Sequence, residues 1–212
     1  MSTLKHIIMP ARMQPPHIGH QTLFEKASKD AKLLTIVIYA SDCLGPSNPF
    51  TGEERKTMID KTMKKLKIQN YEIVLMPYFD DSQKKKRTQF ILDLPSYNKF
   101  SKKNTAILSG TPIVRTIFEN IGHPTLNPHE YVEDEKLGYP IPLSGSLFRG
   151  MIIDHRDTDG KLDEYWRNWA AEGTIKFAKK MGIDSFRERN IKYRDIDRKT
   201  NENLRYETRN EI

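Results

Sequence analysis

Two histidines three residues apart, His17 and His20, flank Gly19 in a stretch that also carries Arg12. These residue types suit a polyphosphate ligand. Imidazoles donate hydrogen bonds to phosphoryl oxygens, an arginine can grip a phosphate through two parallel bonds, and a glycine lets a ligand approach the backbone closely. A segment with helical spacing follows, and the start of a helix offers unpaired N–H groups and a positive dipole end. The pattern therefore predicts a polyphosphate-binding site.

A His-x-x-His pair has two further interpretations. It is often an ordinary surface pair, and it could supply two ligands to a metal ion. A structural zinc site needs about four ligands, and no third candidate lies close in sequence. The chain contains a single cysteine, Cys43, which also excludes an internal disulfide. We therefore predict no metal site built from protein side chains.

Four strand-like segments determine where this chemistry is to be sought. They span residues 5–9, 33–39, 71–76 and 105–108, and helical patterns cover residues 19–29, 52–67, 112–122 and the segment from Ser146. Short strands alternating with crossover helices predict an α/β fold with a doubly wound parallel sheet. Ligands bind such sheets beyond the carboxyl ends of the strands. The site should therefore form from the loops after strands one, two and four.

The character of the chain changes after the last of these segments. We predict an α/β domain over residues 1–153, a helical extension packed on it over 154–186, and a charged C-terminal arm or tail over 187–212. The last segment alternates charges and has few apolar residues. A frayed or loosely docked tail is the preferred interpretation, and a partner-bound helix or an arm into a neighbouring subunit are the alternatives.

Composition limits the classes of protein further. The chain has 212 residues, 37% of them hydrophobic, and 35 Lys and Arg against 28 Asp and Glu give a net charge of +7. That length can bury a core, and the charge favours anionic partners. No stretch approaches the roughly 20 apolar residues of a membrane-spanning helix. Residues 6–9 run directly into Pro10, so we expect no secretory signal and a cytoplasmic location.

Four segments in order resemble the nucleotidyltransferase superfamily, and specifically its archaeal-type nicotinamide-mononucleotide (NMN) adenylyltransferases. Residues 11–20 are similar to the family's opening motif, residues 48–55 to its Asn-Pro-Phe-Thr-x-x-Glu-Arg segment, residues 109–115 to its Ser-Gly-Asn-Pro-Leu-Val segment, and residues 144–149 to its Ser-Gly-Thr-x-x-Arg signature. The resemblance covers roughly residues 5–153. It implies a Rossmann-like nucleotidyltransferase fold and an enzyme that makes NAD and pyrophosphate from ATP and NMN.

The resemblance also implies roles for individual residues. His17, His20 and Arg149 would be catalytic and hold the reacting phosphates. Mg²⁺ would be bound through the ATP phosphates, and a homo-oligomer is possible. The residues implied in ATP binding are Arg12, Gly19, Arg55, Gly110, Ser144 and Ser146. Gly110 would lie near the adenine or ribose.

Departures from the family pattern concern the acceptor. Ala11 replaces the usual glycine, which is tolerable if the backbone φ there stays negative. The tryptophan expected to stack on nicotinamide is missing, so Phe90 is the candidate stacking ring, with a place in the core as its alternative. Asp80 fits the family's aspartate after strand three, although Asp81 competes for that place. The basic run at residues 84–87 has no assigned role.

Four other functions compete with NMN adenylyl transfer. A cytidylyltransferase or a pantetheine-phosphate adenylyltransferase would share the superfamily motifs. Class I aminoacyl-tRNA synthetases share the His-Ile-Gly-His signature, but they carry a Lys-Met-Ser-Lys-Ser loop where this chain has Ser-Gly-Ser-x-x-Arg. A basic nucleic-acid-binding module would use residues 84–87 and the tail, but no RNA-binding or helix-turn-helix pattern supports it, so nucleic acid is an unlikely partner.

Overall fold

A computed structural model describes residues 4–45, 47–132, 144–154 and 165–199. Its strands are β1 (His6–Ala11), β2 (Leu33–Ile38), β3 (Tyr71–Leu75), β4 (Thr105–Leu108) and β5 (Thr125–Leu126). Its α-helices are α1 (Ile18–Asp30), α2 (Gly52–Lys65), α3 (Lys84–Leu92), α4 (Pro112–Asn120), α5 (Pro128–Tyr131), α6 (Gly145–Asp154), α7 (Glu172–Met181) and α8 (Ile183–Lys199). Short 3₁₀ turns cover Asp81–Gln83, Tyr97–Lys99, Lys102–Asn104 and Tyr165–Trp169.

The five strands form one parallel sheet in the order β3-β2-β1-β4-β5. Strand order reverses between β1 and β4, which places the carboxyl ends of those strands at the switch point where such sheets bind ligands. The predicted doubly wound α/β fold is confirmed. The loops that follow β1, β2 and β4 meet at this edge, as the sequence predicts.

Successive side chains of each strand point to opposite faces of the sheet, so they belong to two separate layers of the core. Ile7 and Met9 point to one face and pack with the apolar side chains of α1 and α2, Phe24 and Ile59 among them. Ile8 belongs to the opposite face, whose core includes side chains of α3 and α4. The sheet is therefore covered on both sides, and its loops rest on a rigid scaffold.

Two strand assignments differ from the sequence prediction. The sequence prediction ends the first strand at Met9, but β1 continues through Pro10 and Ala11. Pairing with β4 ends at Ile8, so the later residues pair on one side only, where a missing N–H is tolerated. The fifth strand, β5, has only two residues, which is too short to leave a pattern in the sequence.

The C-terminal helices dock on α2 and α6. Gly173 of α7 approaches α2 so closely that a Cβ there would lie 1.7 Å from the Met58 carbonyl oxygen. Its N–H donates to Thr62 Oγ1 over 2.9 Å. Trp166 and Phe186 stack with their ring centroids 5.5 Å apart in a third apolar cluster shared with α6. The subdivision at residues 153 and 186 stays a prediction.

The charged segment from residue 187 begins within a packed helix, and the interpretation of residues 187–212 as an arm or tail stays a prediction. Helix α8 crosses the predicted boundary, and Arg187 is buried with a hydrogen bond to the Ile153 carbonyl oxygen. Arg189 pairs with Glu54 of α2 over 2.6 Å. A few buried side chains thus hold α8 against the rest of the fold, although the average composition of this helix is polar. Residues 200–212 lie outside the described residues.

Among the residues that the structure describes, no helix combines the length and the apolar character needed to cross a bilayer.

Candidate active site

The loop between β1 and α1 is held from two sides. The Gln14 side chain donates to the Phe50 carbonyl oxygen over 2.7 Å and accepts from the Phe50 N–H over 3.0 Å, which ties the loop to the segment before α2. The Pro16 carbonyl oxygen accepts a 2.8 Å hydrogen bond from Thr174 Oγ1 of α7. The start of α1 is therefore fixed by the segment before α2, which resembles a family motif, and by the C-terminal helix α7.

His17 is the N-cap residue of α1, and His20 lies one turn further on. Their ring centroids are 3.8 Å apart, and His20 Nδ1 accepts from the His17 backbone N–H over 3.3 Å. Burial lowers the pKa of His17 well below its ordinary 6.5, with a further contribution from His20, and burial lowers the pKa of His20 to about 4. Both imidazoles are therefore neutral near pH 7.

The hydrogen bond within the pair fixes one tautomer. Because His20 Nδ1 accepts, the single proton of the neutral ring is on Nε2, which makes Nε2 a donor. His17 Nδ1 is buried and has no hydrogen-bond partner within the described part of the chain. A buried polar atom without a partner costs free energy unless a ligand or water satisfies it. The pair thus offers polar groups to a bound molecule without adding charge.

These histidines line a cavity of about 290 Å³, here called cavity A. It lies at the carboxyl ends of β1 and β4, between the starts of α1 and α6. Its wall includes the predicted residues Arg12, His17, Gly19, His20, Gly110 and Ser144. The structure therefore brings together six of the eleven residues that the family resemblance implies.

A second cavity of about 310 Å³, cavity B, lies beside the first, between α3 and α4. It has an apolar wall and a basic wall. The apolar side chains include Met76, Ile91, Ile113, Val114, Ile117 and Phe118, and the polar ones include Tyr39, Lys84, Arg87 and Thr88. The two cavities share Pro10, Ala11, Arg12, Ser109 and Thr111. They form a two-chambered cleft with a common wall at the switch point.

Arg12 is exposed and belongs to that common wall. Its backbone is held by Arg55, whose Nη1 donates to the Arg12 carbonyl oxygen over 2.6 Å. Ala11, which replaces the family's glycine, has no positive φ, so the substitution leaves this backbone unstrained. The Arg12 guanidinium is consequently placed where it can contact ligands in both chambers.

The family resemblance implies that Arg55 binds ATP. The side chain is fully buried, and it lines neither cavity. Besides Arg12 it donates to the carbonyl oxygens of Tyr39, Ala40 and Thr51, at 2.8, 2.7 and 3.2 Å. Burial lowers its pKa to about 10. The guanidinium thus ties the ends of β1 and β2 to α2 and holds the backbone of Arg12, and its predicted contact with ATP stays a prediction.

The start of α6 carries the remaining predicted ATP-binding side chains. Ser144 lines cavity A, and its Oγ accepts from the Leu147 N–H over 3.2 Å and lies 3.0 Å from Ser146 Oγ. Ser146 is therefore one side chain away from the cavity wall. Arg149 donates from Nη1 to the Gln14 carbonyl oxygen over 2.9 Å, beside Gly145 of the cavity wall. Arg149 borders cavity A without lining it.

The two residues predicted to bind the acceptor lie outside both chambers. Asp80 caps the following 3₁₀ turn, since its Oδ1 accepts from the Ser82 and Gln83 N–H groups at 2.8 and 3.1 Å. Phe90 packs against Phe79, with ring centroids 6.3 Å apart, in the apolar core beneath α3. This packing agrees with the core alternative for Phe90, whose acceptor role stays a prediction, and α3 turns Thr88 and Ile91 toward cavity B.

The sequence prediction assigns no role to Lys84 and Arg87, which belong to the basic run at residues 84–87. Both line cavity B, whereas Lys85 and Lys86 of the same run do not. Their spacing of three residues on a helix is the signal that could have separated them.

The lining of the cleft also limits how a metal ion could be held. Neither cavity wall includes an Asp or a Glu. No group of three or more His, Cys, Asp or Glu that could hold a metal occurs in the described ranges. The donor set fits a cation carried on the oxygens of a ligand, and it does not fit one caged by protein side chains.

A family model described as cytidylyltransferase-like matches residues 8–151. Two curated relatives are a nicotinamide-nucleotide adenylyltransferase 1 of Sulfolobus acidocaldarius, 25% identical over 55% of this chain, and a nicotinamide-nucleotide adenylyltransferase of Methanococcus aeolicus, 27% identical over 87% of this chain. The chain spans 63% of the length of the first relative and 95% of the second.

Solved structures share the fold. A bifunctional NMN adenylyltransferase/ADP ribose pyrophosphatase from Francisella tularensis superposes with a TM-score of 0.63 at 18% identity, covering 92% of this chain and 54% of that one. A complex of a protein of the same description with AMP and a manganese ion has a TM-score of 0.57 at 18% identity, covering 94% of this chain and 57% of that one. At this identity the likeness concerns the fold.

Proposed function

Because the chain belongs to the cytidylyltransferase-like family, we propose that it transfers the adenylyl group of ATP to nicotinamide mononucleotide, giving NAD and pyrophosphate. The names of its curated relatives support this reaction. The observation that carries the proposal is the two-chambered cleft, with Arg12 on the common wall and two neutral histidines in one chamber. A transfer between two phosphorylated substrates requires two adjoining pockets of this kind.

In this proposal ATP occupies cavity A. Its phosphates lie against Arg12, His17 and His20, at the starts of α1 and α6, where free N–H groups and helix dipoles favour anions. Gly110 follows β4 and has an open approach, since a Cβ there would meet only the Pro128 side chain at 3.9 Å. The ribose or adenine fits beside it.

The acceptor occupies cavity B, with its phosphate toward the common wall and its base among the apolar side chains of α3 and α4. One oxygen of the acceptor phosphate attacks the α-phosphorus of ATP. A new P–O bond forms there, the bond from the α-phosphorus to the bridging oxygen of the β-phosphate breaks, and pyrophosphate leaves with the electron pair. No covalent nucleophile of the protein takes part.

The side chains act by alignment and by stabilising charge. Arg12 holds the two phosphates in line across the common wall. The Nε2–H of His20 donates to the oxygens on which negative charge accumulates as pyrophosphate leaves. A neutral donor is suited to this role because it needs no proton uptake in a buried position. Arg55 and Gln14 contribute by keeping the backbone of this loop in place.

Mg²⁺ fits this site as a companion of ATP. The cleft lining offers it no carboxylate, so the phosphate oxygens would hold it, and when bound it neutralises part of the triphosphate charge.

A pyrophosphate-release assay tests the proposal. The purified protein is supplied with ATP or CTP, with Mg²⁺, and with nicotinamide mononucleotide, its acid form, phosphopantetheine or no acceptor, and products are identified by mass spectrometry. We expect pyrophosphate and a dinucleotide in equal amounts from ATP and a nicotinamide-type mononucleotide. Release only with CTP, or only with phosphopantetheine, would assign the chain to another reaction of its family.

A further inference from the structure

Two cations face the acceptor chamber from α3. Lys84 is the first residue of that helix and is exposed, and Arg87 follows one turn later. Both line cavity B, and neither lines cavity A. They are therefore separate from the phosphate-binding groups of the proposed ATP site.

Arg87 is held in a fixed orientation. Its Nη2 donates to the Phe79 carbonyl oxygen over 2.8 Å, and its guanidinium carbon lies 4.7 Å from the centre of the Tyr39 ring. The Tyr39 hydroxyl donates to the same carbonyl oxygen over 2.7 Å. Arg87 Nε is buried and has no partner among the described residues. The wall thus presents a preorganised cation with unused donor capacity.

The rest of cavity B offers no negative group to balance these cations. Apart from Arg12 on the common wall, its other lining residues are apolar or carry hydroxyls, and no Asp or Glu is among them. The Thr88 hydroxyl donates to the Lys84 carbonyl oxygen over 3.3 Å. A ligand that pairs with Lys84 and Arg87 needs hydrogen-bond acceptors and negative charge beyond the phosphate that Arg12 holds in the proposed function.

We propose that Lys84 and Arg87 select an acceptor mononucleotide whose base carries a carboxylate, so that the acid form is preferred over the amide form. This inference rests on the proposed function and specifies its second substrate. A carboxylate accepts from both cations, whereas the amide presents an NH₂ group that needs an acceptor of its own. Charge-assisted hydrogen bonds are roughly twice as strong as neutral ones. We expect a preference of about tenfold in kcat/KM, which corresponds to about 1.4 kcal/mol.

The experiment compares kcat and KM for the acid and amide acceptors at saturating ATP. It uses the wild-type protein, Lys84→Gln and the matched control Lys85→Gln, which changes an exposed lysine of the same helix outside the cavity wall. Lys84→Gln should raise KM for the acid acceptor about tenfold and raise KM for the amide acceptor much less, because the amide carries no charge to pair with Lys84. Lys85→Gln should change neither acceptor. Lys84→Glu should go further and favour the amide.

Three outcomes would overturn the inference. The first is equal use of both acceptors by the wild type, or preference for the amide. The second is a preference for the acid form that Lys84→Gln and Lys84→Glu leave intact. In both, turnover still supports the proposed function. The third is absence of pyrophosphate release with either acceptor, which would overturn the proposed function as well.

Discussion

Replacing Arg55 by lysine separates a positioning role from a ligand-binding role. Arg55 is fully buried and donates to four backbone carbonyl oxygens. A lysine carries its donors on one nitrogen and cannot span carbonyls that a planar guanidinium reaches from three nitrogens. We expect at least two carbonyls to lose their donor.

The magnitude follows from the cost of buried polar groups without partners. Each costs about 1–3 kcal/mol, so two lost bonds reduce the free energy of unfolding by about 3 kcal/mol. For a domain of this size that lowers Tm by roughly 10 °C. Because the Arg12 carbonyl oxygen is one of the freed groups, KM for ATP should also rise.

The assay pairs urea unfolding with pyrophosphate-release kinetics, and Arg12→Lys is the matched control. Arg12 is exposed, so its variant should keep the wild-type stability within about 0.5 kcal/mol. It should lose kcat/KM by about two orders of magnitude, since a lysine cannot hold two phosphates bidentately. The reasoning is refuted if Arg55→Lys unfolds like the wild type yet loses activity, because Arg55 would then act on the ligand.

Three further predictions concern stability and the acceptor chamber. Burial lowers the pKa of His6 to about 4, so the unfolded chain binds a proton below about pH 6.5 that the folded chain does not bind. His6 should therefore contribute a loss of about 2 kcal/mol between pH 7 and pH 5 in urea unfolding, beside the losses from His17 and His20, and His6→Gln should remove only the His6 part of the slope. Gly173→Ala should lower Tm strongly, because its Cβ would overlap the Met58 carbonyl oxygen, and a wild-type Tm would contradict the packing of α7 on α2. Phe90→Ala should reduce stability by about 1–2 kcal/mol, since the ring is only partly buried, with little change in KM for the acceptor at 15 °C, and a selective rise in that KM would place Phe90 in cavity B after all.

The sequence predicts the sheet well because its signals are local. A continuous β-branched run marks β2, and Thr51 marks the start of α2, where its Oγ1 indeed accepts from the Glu54 N–H over 3.2 Å. The motif around His17 and His20 falls at the start of α1 for the same reason, since a strand, a loop and a helix follow one another directly. These features depend on short stretches of chain, and local patterns determine them.

Side-chain direction depends on distant groups, which a single sequence does not reveal. Arg55 sits in a motif that suggests phosphate, but three of the carbonyls it satisfies follow β1 and β2. One of these belongs to Ala40, whose φ is +51°. Phe90 has the right residue type for stacking, yet the rotation of α3 packs it against Phe79 at the edge of the core. The composition of helix α8 is mostly charged and polar, and it does not indicate that Phe186 is fully buried.

The rate of a single turnover in wild type and His20→Ala tests the central claim most directly. ATP and acceptor are mixed with excess enzyme, the reaction is quenched, and dinucleotide and pyrophosphate are quantified. The account predicts equal amounts of both products from the wild type. In the variant it predicts a rate at least about 100-fold lower, as expected for one lost donor to developing charge, with the unfolding free energy kept within about 1 kcal/mol. A variant that turns over at the wild-type rate would contradict the account.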